Sequence, residues 1–214
     1  PPPRPHPRRR RAPYTPQARG WGPGAAFKTR ARALSQTRDV TREKHIVIKG
    51  DVEEIALSSG LRLTTSDIRV LQPYETTSLH SCPLYMLVVL EGSVLLRVSG
   101  REYVVRSGMA FTSRLGEQQV MSASHLADHH LRTFSLGVDP QKGWQSPLLT
   151  ALLQQWESAG APTFLWQVPG FLLSGLQHTQ QPGISGLSRQ LMLEGVMLQL
   201  LGHGLAHRLE HHVT

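Results

Sequence analysis

Histidines are the residues of this chain whose spacing most directly suggests chemistry. His203, His207 and His211 recur every fourth residue in a segment predicted to be helical, so their imidazoles would share one face, as Zn²⁺ or Ni²⁺ ligands do. A second group lies in the segment HLADHH (125–130), predicted to link two strands. The alternative for both groups is a solvated surface, and positive charge near a helix C-terminus is itself favourable. We therefore predict no metal site from either group.

Motifs of other catalytic classes are not found in the sequence. It contains no Gly-x-Ser-x-Gly, which would place a serine nucleophile on a tight strand-to-helix turn. It also contains no glycine-rich phosphate loop. The sequence therefore predicts a protein that is not an enzyme and that carries no cofactor.

The positive charge of the 214-residue chain is concentrated in its N-terminal part. Residues 1–44 hold 12 Lys and Arg against 2 Asp and Glu, whereas residues 45–214 hold 11 against 13. Few large apolar side chains accompany this charge, so burial cannot offset the entropy cost of ordering, and we predict that 1–44 is a disordered basic tail rich in Pro and Arg. Because the remainder is nearly neutral, bulk charge does not predict nucleic-acid binding by the folded part.

The segment 45–140 has the pattern of an all-β domain. It contains alternating apolar and polar residues, as in LRLTTSDIRVLQ (61–72), and one continuous apolar run, LYMLVVLEG (84–92). Turn residues separate the runs at intervals of about 8 to 12 residues, which is typical of a sandwich or barrel. The stretch VEEIALSSG (52–60) is predicted to be a link between strands.

From residue 146 onward the apolar spacing becomes helical, and the last predicted helix is the longest. Its leucines occupy more than one face, and such a helix needs two partners, for example the barrel and a second subunit. We therefore predict that residues 146–213 form a helical linker and dimerisation region. The predicted dimer contacts are Leu191, Leu193, Val196 and Leu200.

The turn glycines Gly92, Gly108 and Gly116 are spaced as in the paired motifs of the cupin superfamily, and Gly100 closes the hairpin between them. Glycine permits the positive φ that tight β-turns demand. The stretch 72–123 therefore resembles a cupin. This resemblance implies a mainly β fold, a jelly-roll barrel followed by a C-terminal helical segment.

The same resemblance locates the positions that hold metal in catalytic cupins, and here they fall on Ser78, His80, Tyr85 and Gln119. All of these except the histidine are poor ligands for a divalent transition metal, so the resemblance implies a barrel without metal or Lewis-acid chemistry. In the barrel mouth these side chains would instead bind a small polar ligand. Arg97, if it points inward, would pair with a carboxylate on that ligand. The alternative is that these groups bond to one another or lie outside the barrel.

A metal-free cupin-like barrel followed by helices is similar to the effector-binding region of AraC/XylS-type transcription regulators. The similarity covers roughly residues 50–210 and includes LSRQLMLEGVMLQLL (187–201), which resembles the Leu-x-Leu-Glu-Gly-like helix of the pyochelin-regulator branch. Such regulators continue into two helix-turn-helix units that enter successive major grooves. No such pattern lies within 45–214, so we expect either a fragment or a sensor that lacks its DNA-binding half.

The sequence thus predicts the ligand-sensing, dimerising domain of an AraC-type regulator. By resemblance its effector is a siderophore or another small metabolite, and DNA is contacted only through a region absent from this chain. Two alternatives stay open: a metal-dependent cupin enzyme of the dioxygenase or isomerase type, and a stand-alone, non-catalytic ligand-binding cupin. The single cysteine, Cys82, suits a cytoplasmic protein, and no apolar run of about 18 residues predicts a membrane helix.

Overall fold

The computed structural model describes residues 29–33, 46–78, 81–116, 119–138, 146–160, 163–184 and 186–209. The strands are β1 (Thr29–Ala33), β2 (Ile48–Ala56), β3 (Leu61–Val70), β4 (Tyr74–Ser78), β5 (Cys82–Glu91), β6 (Ser93–Val98), β7 (Arg101–Arg106), β8 (Met109–Leu115), β9 (Met121–His125), β10 (His129–Val138) and β11 (Phe164–Gln167). The helices are α1 (Pro147–Ser158), α2 (Gly170–His178) and α3 (Gly186–Leu209).

The strands form two antiparallel sheets whose inner faces pack against each other. The five-stranded sheet has the order β1-β4-β9-β6-β7, and the six-stranded sheet has the order β11-β8-β5-β10-β3-β2. One apolar cluster draws its side chains from both sheets and fills the space between them. The chain is therefore a mainly β, cupin-like barrel followed by helices, and the predicted fold class is confirmed.

The six-stranded sheet is buried on both faces because the helices cover its outer side. Alternate residues of a strand point to opposite faces. Along β5, Met86 and Val88 pack with the helices, whereas Tyr85, Leu87 and Val89 pack between the sheets. The continuous apolar run in the sequence is thus a strand with two buried faces.

Helix α1 is capped at its start and attached to this sheet near its end. The Ser146 hydroxyl accepts a hydrogen bond from the Leu149 amide at 3.5 Å and caps α1. Trp156 of α1 is fully buried, and its Nε1 donates to the Pro83 carbonyl at 3.0 Å. Burial of such apolar surface, more than intrinsic helix propensity, stabilises these helices.

Three of the four predicted turn glycines, Gly92, Gly100 and Gly108, adopt a positive φ. Gly92 has a φ of +85°, and a Cβ there would lie 2.5 Å from the His130 carbonyl oxygen. Gly108 has a φ of +81°. Gly116 does not adopt a positive φ, so the turn argument does not apply to it.

Three elements differ from the sequence prediction. Strand β1 lies within the segment 1–44 predicted to be a disordered tail and pairs with β4, which needs only backbone groups at a sheet edge. Residues 52–56 continue β2 instead of forming a link, because Ile55 is buried under the helices. Strand β11 interrupts the predicted helical region and extends the sheet beside β8.

Candidate ligand-binding site

The space between the sheets has a polar wall where β3 lies beside β10. By strand alternation, Thr64 and Ser66 share a face with Ile68, which packs between the sheets. The register places Ser135 opposite Thr64 and Thr133 opposite Ser66. These hydroxyls therefore form one polar patch on a wall that is otherwise apolar.

Strand β4 adds hydroxyls from the other sheet, because Thr76 and Ser78 lie on the same face as the inward-packed Tyr74. Ser78 is 7% exposed, and its Oγ is buried without a hydrogen-bond partner. Buried polar groups in native proteins are nearly always bonded, so this hydroxyl is an exception. Further hydroxyls on the same inward faces belong to Thr64, Ser66, Thr76, Thr133 and Ser135. We call this hydroxyl-lined space between the sheets the inner chamber.

Tyr85 and Arg62 flank the inner chamber in one row of the six-stranded sheet. The registers pair Tyr85 with Gly137 and Gly137 with Arg62, so β10 places no side chain between them. Because neighbouring strands lie about 4.8 Å apart, the two residues stand roughly 10 Å apart across this gap. Burial raises the pKa of the Tyr85 phenol, and the nearby Cys82 raises it further. The phenol is therefore a neutral hydrogen-bond donor and acceptor at physiological pH.

Arg62 supplies positive charge at this end of the chamber, beside Glu54 on the inner face of β2. Burial raises the pKa of the Glu54 carboxyl, and the positive charge of Arg62 opposes that rise. A guanidinium in this position can bind a carboxylate or phenolate on a ligand. Sequence analysis missed Arg62, although it lies in period-two register with Ile68 and Val70, which both face inward.

The structure separates the residues that the sequence predicted as ligand contacts. Ser78 and Tyr85 face the inner chamber as expected. Arg97 does not point inward: its side chain is 51% exposed, and its Nε donates to Glu102 at 2.7 Å. Gln119 is also exposed and turns back to accept a hydrogen bond from the Gly116 amide at 3.1 Å. His80 lies outside the described residues.

A buried imidazole lies farther along the space between the sheets. His125 is 9% exposed, stacks on the Tyr74 ring at a centroid distance of 4.3 Å, and has a buried Nδ1 without a partner. Burial, and to a smaller extent the nearby His129, lowers the pKa of His125 to about 4, so the His125 ring is neutral at physiological pH. Both ring nitrogens of His129 are buried without a hydrogen-bond partner among the described residues.

The metal positions of catalytic cupins do not fit a divalent metal in this chain. Ser78 and Tyr85 offer only a hydroxyl and a protonated phenol, and Gln119 points away from the chamber. Within the part of the chain that the structure describes, no three His, Cys, Asp or Glu side chains are grouped as metal ligands. On the last helix, His203 lies edge-on to the Phe171 ring at 5.3 Å.

The predicted dimer residues of α3 lie on two different sides of the helix. Leu193 and Leu200 are fully buried beneath the helices of their own chain, so they are unavailable to a second subunit. Val196 is partly buried and lies close to Gly175 of α2. Leu191 is 64% exposed and remains available.

Two polar contacts attach α3 to the β2–β3 hairpin. The Glu194 carboxylate accepts hydrogen bonds from the Ser58 amide at 2.8 Å, the Ser58 hydroxyl at 2.9 Å and the Ser59 amide at 3.0 Å. Arg189 donates to both carboxylate oxygens of Glu53 at 2.8 Å. The acidic residue of the Leu-x-Leu-Glu-Gly-like pattern therefore caps a turn of the barrel, and α3 contacts the strands that line the inner chamber.

None of the helices among the described residues is long and apolar enough to cross a membrane.

Three solved structures are similar to the chain at low identity. The AraC-like transcriptional activator CuxR is 12% identical with a TM-score of 0.49, covering 81% of this chain and 60% of CuxR. ToxT from Vibrio cholerae is 11% identical with a TM-score of 0.45, covering 70% of this chain and 58% of ToxT. A cupin domain of an XRE family transcriptional regulator from Enterobacter cloacae is 12% identical with a TM-score of 0.35, covering 44% of this chain and 98% of that domain.

The chain thus spans about three fifths of the length of CuxR and of ToxT. Among curated proteins none matches the sequence significantly. A family model described as the regulatory protein PchR N-terminal domain matches residues 49–214, which confirms the predicted resemblance to regulators of this branch. The chain belongs to the family of PchR-type regulatory N-terminal domains.

Proposed function

We propose that this protein is the ligand-sensing, dimerising domain of an AraC-type transcription regulator and that the inner chamber holds its effector. The observation that carries the proposal is the buried Oγ of Ser78, which has no hydrogen-bond partner among the described residues. In such a regulator, which acts in the cytoplasm, DNA is contacted by a helix-turn-helix region outside these 214 residues. The role is non-catalytic, because the cupin metal positions hold residues that do not fit a metal.

The chemistry of the chamber indicates a small polar effector with at least one acidic group. Its hydroxyls and the neutral Tyr85 phenol can donate and accept hydrogen bonds, and Arg62 can hold an anionic oxygen. Siderophores combine these features, because their carboxylates, phenolates and amides offer many acceptors around a compact iron centre. We therefore propose a siderophore as the effector class.

Calorimetric titration of the chain with ferric pyochelin tests this proposal, with an unrelated ferric hydroxamate as the second ligand. We expect saturable binding of ferric pyochelin, weakened at least about tenfold by Thr133→Val and by Arg62→Met. Arg97→Met is the matched control, because that guanidinium pairs with Glu102 on the outside. No saturable binding, or an equal loss in the Arg97 variant, would contradict the chamber as the effector site.

We further propose that a second copy of the chain packs on the exposed apolar side of α3. Leu187, Leu191 and Leu198 are 70%, 64% and 38% exposed, and they recur at helical spacing on the side opposite the buried Leu193. Gly195 lies near the same side, where an added Cβ would meet no atom within 4 Å. An exposed leucine stripe of this kind is favourable when a second helix covers it.

Light scattering on purified protein checks the dimer. We expect the chain to be dimeric and Leu191→Glu to raise the dimer dissociation constant at least about tenfold, because a charge would be buried in the interface. Leu148→Glu is the control, since Leu148 of α1 is 76% exposed and lies outside the stripe. A monomeric parent chain, or equal dissociation of both variants, would refute the α3 interface.

A further inference from the structure

A polar cleft of about 360 Å³ lies on the outer side of the six-stranded sheet, on the opposite face from the inner chamber. Its floor is formed by β2, β3 and β10. Its roof is formed by the connection between α2 and α3 and by the first turn of α3. It is therefore a separate cavity between the barrel and the helix that the proposed dimer uses.

Strand register orders the charges on the floor of the cleft. Asp51, Asp67 and Arg132 lie in one row across β2, β3 and β10, and Glu53 and Thr65 lie in the next row. Carboxylates therefore occupy the β2 side, and a guanidinium occupies the β10 side. A floor with opposite charges at its two sides is complementary to a ligand that carries both charges.

Two hydrogen-bond donors of the floor lack acceptors. Thr65 is 6% exposed and lines the cleft, and its hydroxyl is used by no hydrogen bond of the described residues. The Nε of Arg132 is buried without an acceptor, since the Asp67 carboxylate is 3.7 Å away, beyond hydrogen-bond reach. Its Nη2 is fixed by Gln180 Oε1 at 2.6 Å. The Thr65 hydroxyl lines the cleft, so an acceptor supplied by a ligand would satisfy it.

The roof is held over the floor by Arg189 of α3. This side chain donates to both oxygens of Glu53 at 2.8 Å, and its Nε donates to the Thr179 carbonyl at 3.1 Å. The cleft is thus formed without a ligand, so binding requires little rearrangement.

We propose that this cleft binds a small zwitterion of the α-amino-acid class. The ligand carboxylate lies toward the Arg132 guanidinium and accepts a hydrogen bond from the Thr65 hydroxyl, and the ligand ammonium lies toward the carboxylates of Asp67 and Glu53. Carboxylate and ammonium are the groups that these side chains recognise most strongly. Because β2 and the first turn of α3 both line the cleft, binding strengthens the attachment of that helix to the barrel.

Differential scanning fluorimetry of the whole chain with each protein amino acid, followed by calorimetry of those that raise the melting temperature, tests the proposal. We expect at least one to bind and Thr65→Val to weaken it at least about tenfold. Thr64→Val is the matched control, because its hydroxyl faces the inner chamber from the same strand, and it should leave the affinity unchanged. The amide derivative of the bound amino acid should also lose affinity, because it lacks the carboxylate.

Three outcomes overturn the amino-acid site: no amino acid binds, the amide derivative binds as well as the acid, or Thr64→Val weakens binding as much as Thr65→Val. The Thr64 variant also keeps this test separate from the chamber proposal. Ferric pyochelin binding that is lost in Thr133→Val but retained in Thr65→Val supports the chamber whether or not the cleft binds.

Discussion

Buried polar groups under the helices differ in their hydrogen bonding from those between the two sheets. On the outer face, under the helices, the Thr112 hydroxyl is fully buried and accepts a hydrogen bond from Trp166 Nε1 at 3.0 Å. On the inner side, the buried hydroxyl of Ser78 and both ring nitrogens of His129 have no partner. The outer face is thus packed and hydrogen-bonded around Thr112, whereas the inner chamber keeps polar groups whose burial costs free energy.

This contrast assigns stability to the helix-covered region around Thr112 and effector binding to the space between the two sheets. An unsatisfied buried donor or acceptor costs about 1–3 kcal/mol. A chain that keeps such groups inside its barrel gives up stability for a surface that a ligand can use. The predictions below test the contrast, from the largest expected change to the smallest.

Lowering the pH should reduce the free energy of unfolding through His125, which lies between the sheets. Its folded pKa of about 4 is depressed below the ordinary 6.5, so the neutral ring contributes stability above pH 6.5, and this is lost as the pH falls toward 4. The expected loss between pH 7 and pH 5 is on the order of 2 kcal/mol. Denaturant unfolding at both pH values measures it, and His125→Phe, which preserves ring stacking on Tyr74, should remove that part of the loss.

His178→Gln is the matched control, because His178 is exposed on α2 and should leave the acid loss unchanged. The contribution of His130 to stability depends on pH in the opposite direction. Hydrogen bonds to Glu91 and Asp67 raise its pKa, so its contribution is present at low pH and fades as the pH rises through the folded pKa. An acid loss that persists undiminished in His125→Phe would show that the buried inner imidazole does not limit stability.

The tight packing of the outer side predicts opposite effects for two neighbouring glycines of α3. A Cβ on Gly204 would lie 2.5 Å from the Trp166 ring, so Gly204→Ala should destabilise the fold by about 1–3 kcal/mol. A Cβ on Gly202 would meet no atom within 4 Å, so Gly202→Ala should stabilise by about 0.5–1 kcal/mol through helix propensity. Thermal unfolding of both variants measures the difference, and equal effects would show that α3 is not closely packed on β11.

The fold was predictable from sequence wherever local pattern and burial agree. Period-two alternation predicted β3, and the long apolar run predicted β5, because each strand has at least one fully buried face. Strand β2 was partly missed, since its residues 51–54 are exposed and only Ile55 signals burial. Strand β11 was missed because FLWQ is too short to show a period, and its conformation depends on pairing with the distant β8.

The site was less predictable because inward orientation depends on register. Ser78 and Tyr85 were located through the cupin resemblance, and both lie on inner faces. Arg97 was assigned an inward role, but it follows Leu96, which packs between the sheets, so alternation turns Arg97 outward. The outer cleft could not be predicted from the sequence, because it forms only where α3 contacts β2, which is distant in the chain.

The smallest expected effects test the contrast most directly. Ser78→Ala removes an inner hydroxyl that bonds to nothing, so we expect a change within about 1 kcal/mol, neutral or stabilising. Thr112→Val removes the acceptor of Trp166 Nε1 on the outer face and should cost about 1–3 kcal/mol, because the indole N–H then stays buried and unpaired. Denaturant midpoints of the two variants provide the comparison. A Ser78→Ala loss as large as that of Thr112→Val would mean that the inner hydroxyls serve the fold instead of a ligand, and the chamber would lose its main support as the effector site.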